Sequence, residues 1–234
     1  SANISDVMKK AIIAIEDKRC YEHNGVDATG IARALVTNLG DSGRQGASTI
    51  TQQYVRNSLA ERGYLEGDAD QVSAATEQTT ERKLREIKYA LALEKTQSKD
   101  EILTGYLNIA PFGPITYGVE AASQRYFSKS ASELNYLESA LLAGLVQSPV
   151  QYDPLTHPEA AQERRDTVLA TMLDQGVITQ EEYDEGIATS VDSMLHPTVS
   201  SEGCSGADSS KAYFCDYVLS QFLEDPTFGA TRIE

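Results

Sequence analysis

Apolar residues recur at helical spacing along most of this chain, and no segment sustains the two-residue alternation of a half-buried strand. Val7, Met8, Ala11, Ile12 and Ile15 make one stripe; Leu137, Leu141 and Leu145 make another, with Pro149 just beyond it. The punctuation between stripes is helical too. Ser98 with Glu101 and Thr179 with Glu182 read as capping boxes. Pro158 suits a first helical position and Gly176 a place just past a C-terminus. The spacing predicts helices over 119–127, 134–146 and 158–173, and one over 27–39 that Asp27 caps and Gly40 ends. An all-α fold follows, with sheet minor at most. With 234 residues, 41% of them hydrophobic, the chain can bury one sizeable helical core or two small ones.

Residues able to do chemistry gather where helices begin and end. Glu16 stands where the first stripe surfaces into IEDKRCYEHNG, residues 15–25. A carboxylate there is partly desolvated, which lifts its pKa from roughly 4.3 toward a range useful to a base. Taken alone, the window reads equally as a solvated, charged helix end. GASTITQQYVRN, residues 46–57, brings a glycine-containing loop into a helix opened by Ser48, with Gln52, Gln53 and Arg56 following. Such a start presents N–H groups and the positive dipole end to an anion, although an ordinary capped helix has the same pattern. RKLREIKYALALEK, residues 82–95, is expected to pack through Leu84, Ile87, Leu91 and the stem of Lys88. On it Arg82 and Lys83 share a side with Glu86 and keep that carboxylate ionised, as in any surface ion-pair helix. SKDEILTGYLNIAPFG, residues 98–113, points Ile102, Leu103, Tyr106 and Leu107 inward and ends near Asn108. Between these windows, 61–80 is polar and glycine-containing and reads as a mobile connection or a short helical excursion.

In this order, and followed by ERRDTVLATM at 163–172, the windows resemble the signature of family 51 glycosyltransferases, the peptidoglycan glycosyltransferase domains of class A penicillin-binding proteins. The resemblance runs over about 4–194. It implies a lysozyme-like helical domain with a larger globular lobe and a smaller, membrane-proximal one. It implies polymerisation of lipid II onto a glycan chain carried on undecaprenyl diphosphate, with inversion to a β-1,4 bond. Glu16 would be the general base and Glu86 a second catalytic carboxylate, orienting substrate or a divalent cation such as magnesium or manganese. No tightly bound cofactor is implied. Substrate contacts fall to Asp17, Arg19, His23, Gly46, Ser48, Thr49, Gln52, Gln53, Arg56, Arg82, Lys83, Arg85, Asn108 and Arg165. Arg56, Lys83 and Arg19 are the candidate cations for the leaving diphosphate. Of Arg164 and Arg165, which both match the last motif, one would support the core or the acidic site. Moenomycin-type inhibitors are implied as ligands. Two positions depart from the family: Arg56, usually lysine, changes the donor geometry, and Cys20, usually phenylalanine, implies altered packing and a thiol open to modification.

Charge and cysteine content bound the setting. A net charge of −15 and a pI near 4.6 exclude a general nucleic-acid binder, while basic residues still cluster at 82–88. No apolar run approaches the ~20 residues of a membrane-spanning helix, and no signal peptide is seen. The chain reads as a piece of a longer protein; the family resemblance implies an N-terminal anchor and a C-terminal transpeptidase domain outside it, and a place at the extracytoplasmic face of the membrane. Composition shifts to Pro, Ser, Gly and Asp after about 195, so a glycosyltransferase domain is expected over 1–195 and a linker over 196–234, resembling that of actinobacterial relatives. Cys204 and Cys215 flank a short polar loop there and are expected to form a disulfide.

Neither a Walker loop nor a dinucleotide fingerprint is present, and His23, His157 and His196 lack metal-ligand spacing. Two other readings remain open on sequence. One is a lysozyme-like glycosidase using two carboxylates. The other is a catalytically idle helical module that binds lipid II.

Overall fold

The structure, a computed structural model, describes residues 3–32 and 48–197. It is all-α. Its helices are α1 (Asp6–Glu16), α2 (Ile50–Glu66), α3 (Ala69–Thr76), α4 (Thr80–Leu93), α5 (Lys99–Ile109), α6 (Val119–Phe127), α7 (Tyr136–Leu145), α8 (Pro158–Asp174), α9 (Gln180–Ala188) and α10 (Val191–Met194). Residues 28–32 are helical as well, starting where Asp27 accepts from the Gly30 N–H. Among the described residues the extended pairing is a lone bridge between Pro111 and Tyr117.

The core forms around α7, whose residues from Glu138 to Leu145 are all buried. A helix apolar on every side has to sit at the centre of its domain. The α1 stripe packs on α7 and α8, which also pack on each other. Met8, Ile12, Leu141, Leu142, Val168, Leu169 and Met172 all belong to the resulting cluster. A second group is built around α2, which packs on α3, α4 and α5. The capping boxes at Ser98 and Thr179 are formed, and Pro158 opens α8.

Two expectations are revised. Of the two readings of the polar stretch over 61–80, the helical excursion holds and the mobile connection does not. α2 runs on to Glu66, Gly67 turns the chain in the left-handed region, and Asp68 caps α3 by accepting from the Gln71 N–H. Helix periodicity was hidden here because so few apolar residues mark it. Gly63, in mid-helix, lets α3 come close: a Cβ there would lie 2.8 Å from Val72 Cγ2. The second correction concerns α4. Leu84 is 61% exposed and Leu91 43%, and Lys88 is exposed too. The buried side carries Glu86 and Ala90 instead, so this helix turns its charges inward.

The chain divides after His196. Gly46, the expected loop over 41–47, the rest of the 27–39 helix, and the Cys204 and Cys215 pair lie outside the described residues, as does almost all of the expected linker.

Candidate active site

Glu16 is the last residue of α1. A helix C-terminus carries negative partial charge, so that position already disfavours a carboxylate. Its surroundings come from distant parts of the chain. Gln53 of α2 donates from Nε2 to Glu16 Oε2 at 2.7 Å, and the Tyr106 hydroxyl of α5 donates to Gln53 Oε1 at 3.0 Å. From the other side an Arg164 nitrogen of α8 lies 3.9 Å from Glu16 Oε1. Burial pushes the Glu16 carboxyl above its ordinary value; the Gln53 hydrogen bond, Arg164 and Arg56 pull it back, and Asp17 adds to the rise. The result is a carboxylate held still and made more basic than a solvated one.

Asp17, the next residue, is buried and does a different job. Its Oδ2 accepts the Ile50 N–H at 3.0 Å, and both its oxygens lie 3.0 Å from His23 Nε2. On the far side of the ring, Lys99 Nζ is 3.3 Å from Nδ1 and 2.7 Å from Glu94 Oε1. With Lys99 donating to Nδ1, the ring holds its proton on Nε2 and gives it to Asp17. Thr51 also donates to Glu94. This chain of groups clamps the turn after α1 to the first residues of α2. The expected anion site at the start of α2 is thereby occupied by the protein's own Asp17. Thr49, not Ser48, is the cap: its hydroxyl accepts the Gln52 N–H and donates to the Gly25 carbonyl at 2.7 Å. Gly25 has φ +80°, and a Cβ on it would lie 2.9 Å from the Ala90 backbone, so the same turn also abuts α4.

Cations collect beside this clamp. Lys83 donates to Ser48 Oγ at 2.8 Å and to Gln52 Oε1 at 2.7 Å, and lies 3.4 Å from Glu86 Oε2. Burial lowers its pKa, partly offset by Glu86. Glu86, 2% exposed, is paired on its other oxygen with Arg82. Arg56, Arg82 and Lys83 line a cavity of about 590 Å³ together with Thr76, Gln78, Thr79 and Thr80. Among the described residues no carboxylate is ion-paired with Arg56. The Gln52 Nε2 is buried without a partner. Arg56 acts electrostatically on both Glu16 and Lys83, which ties the cavity to the carboxylate.

Residues 1–173 match the family described as Transglycosylase. The chain belongs to the transglycosylase family. It is 43% identical over 197 residues to penicillin-binding protein 1A of Clostridium perfringens, a match covering 80% of this chain and 27% of the relative. To penicillin-binding protein 1A of Escherichia coli it is 41% identical over 190 residues, 81% and 21% of the two chains. A crystal structure of penicillin-binding protein 1A from Haemophilus influenzae aligns with TM-score 0.41 at 25% identity, over 77% of this chain and 20% of that one. The chain thus spans about a quarter of the length of these relatives.

The remaining residues expected at this transglycosylase site lie as follows. Arg19 is ion-paired with Asp27, its Nε 3.1 Å from Oδ2. Arg85 donates to the Ala74 carbonyl and braces α4 against α3. Asn108 is exposed near the end of α5. Arg165 is wholly buried, donating to Asp166 and, at 2.7 Å, to the Thr189 carbonyl. The arginine at Glu16 is its neighbour Arg164, which the sequence does not distinguish, because two adjacent helix positions differ only in direction. Lys99, Glu94 and Tyr106 also went unassigned. Cys20 is 3% exposed, packed in the core cluster, and burial pushes its thiol up to about 12. It is neutral and covered, not the modifiable thiol expected. Both oxygens of Glu86 face cations, and the described residues contain no group of three or more His, Cys, Asp or Glu fit to hold a metal.

Proposed function

We propose that this chain is a peptidoglycan glycosyltransferase domain that polymerises lipid II. The observation that carries the reading is Glu16: a half-buried carboxylate at a helix exit, hydrogen-bonded to Gln53, with a cation-lined cavity coupled to it through Arg56. Glu16 takes the proton from the acceptor's 4-hydroxyl as that oxygen attacks the anomeric carbon of the donor. The bond to the diphosphate breaks and the configuration inverts. Arg56, Arg82 and Lys83, which line the cavity, meet the charge that develops on the leaving group. A positioned base contributes about 10²–10⁴-fold, so these cations have much of the rest to supply. Moenomycin-type inhibitors would compete for this cavity.

The relatives it matches are named as penicillin-binding proteins, and this chain spans about a quarter of their length. No helix among the described residues is long and apolar enough to cross a membrane. We place the domain at the extracytoplasmic face, held there by segments outside this chain. A two-carboxylate hydrolase fits less well, because both oxygens of Glu86 are taken up by Arg82 and Lys83.

The test is lipid II turnover with product length as readout. Wild type yields glycan polymer, and Glu16→Gln loses at least about 100-fold of that rate with its circular dichroism unchanged. Unchanged polymer from Glu16→Gln rejects the base. Soluble fragments from finished cell wall would favour the hydrolase.

A further inference from the structure

Arg164 is the one cation that approaches Glu16 from the core side. Its stem runs past Gly144, where a Cβ would lie 3.0 Å from Arg164 Cγ. Its Nε donates to the Gly144 carbonyl at 3.3 Å, and its guanidinium sits 5.9 Å from the centre of the Tyr152 ring. α7 and the 148–155 turn therefore hold this side chain in place, and what they aim is its terminal nitrogen, 3.9 Å from Glu16 Oε1. Gln53 binds the other oxygen. The carboxylate is hydrogen-bonded on one oxygen and faced by a guanidinium on the other, by residues that do not line the cation cavity.

We propose that Arg164 is a positioning residue for Glu16, holding the carboxylate charged and in one orientation so that it can accept the acceptor's proton. The inference rests on Glu16 being the base, but Arg164 makes it measurable without turnover. The groups facing Glu16 are Arg164 from α8, Arg56 from α2, Tyr106 from α5 and Asp17 beside it. Gln53 is uncharged. Tyr106 is buried and its hydroxyl stays neutral, since burial raises it well above its ordinary value. Removing Arg164 leaves Arg56 as the only cation of the set, so Glu16 holds its proton to higher pH.

The experiment is a carboxyl-carbon NMR titration of the isolated domain, with the Glu16 signal identified by its loss in Glu16→Gln. In Arg164→Met the midpoint moves up relative to wild type; in Arg164→Lys, which keeps the charge, it returns most of the way. In lipid II assays the acid limb of kcat/KM moves with it, giving about tenfold lower activity on that limb and much less loss at the alkaline plateau. Should Arg164→Met fail to fold, Arg164→Gln takes its place. An unmoved midpoint in the charge-removed variant, or one that Arg164→Lys shares, overturns the proposal, as does an equal loss of rate at every pH. A domain that titrates as described but makes no polymer leaves Arg164 coupled to Glu16 and refutes the glycosyltransferase reading instead.

Discussion

At the scale of single residues, Glu16 and Asp17 show how adjacent carboxylates diverge. Glu16 has one amide and one distant guanidinium, and burial dominates it. Asp17 is held by a backbone N–H at the start of α2 and by the His23 imidazole. One is tuned as a base and the other as a structural anion. Truncating Asp17 orphans the buried Ile50 N–H and leaves His23 without its acceptor. Asp17→Ala is expected to lower the unfolding free energy by about 2–3 kcal/mol in urea titration. Ser98→Ala, at an exposed cap, should lose only about 1 kcal/mol. A loss at Asp17 no larger than at Ser98 would show that the clamp bears no weight. The identity of Glu16 could be read from a motif ending a helical stripe. The partners of Asp17 could not, since Ile50, His23 and Lys99 meet only through the tertiary fold.

At the scale of elements, the helices legible in the sequence are those with apolar stripes or caps: α1, α5 through α8, and the capped start of α9. The ones read only in part, α3 left open between helix and connection and α4 given the wrong buried face, are short or polar. α3 lacks a stripe, and α4 has one whose leucines point outward while its charges face the protein. Hydrophobic patterning assumes that the buried face is the apolar face, and a helix devoted to binding charge breaks that assumption. The α2–α3 corner offers a direct check. Replacing a mid-helix glycine by alanine ordinarily stabilises by about 1 kcal/mol. At Gly63 the new Cβ would meet Val72 Cγ2 at 2.8 Å and the Val72 backbone nitrogen at 2.9 Å. Gly63→Ala should therefore destabilise, by about 1–3 kcal/mol of overpacking less that gain, measured by chemical unfolding. A more stable variant would mean that α3 is free to move off α2.

At the scale of the whole molecule, the base sets a relation between stability and pH. The folded-state pKa of Glu16 lies above the 4.5 of an unfolded chain. Below 4.5 both states hold the proton and the side chain costs nothing; as pH rises through the folded value, ionising a buried group erodes stability. Glu16→Gln, which cannot ionise, should thus melt higher than wild type at neutral pH, and the gap should close as the solution is acidified toward 4.5. Calorimetry at the two ends of that range decides it, and a gap that widens on acidification reverses the sign. This is the ordinary conflict between a poised active site and a stable fold.

The same carboxylate has a consequence in time. Its two holders are supplied by α2 and by α8, the latter near the far end of the described domain. A chain made only as far as α5 carries Glu16 and Gln53 but not Arg164. The surroundings that tune the carboxylate are therefore complete only after α8 has been made and docked.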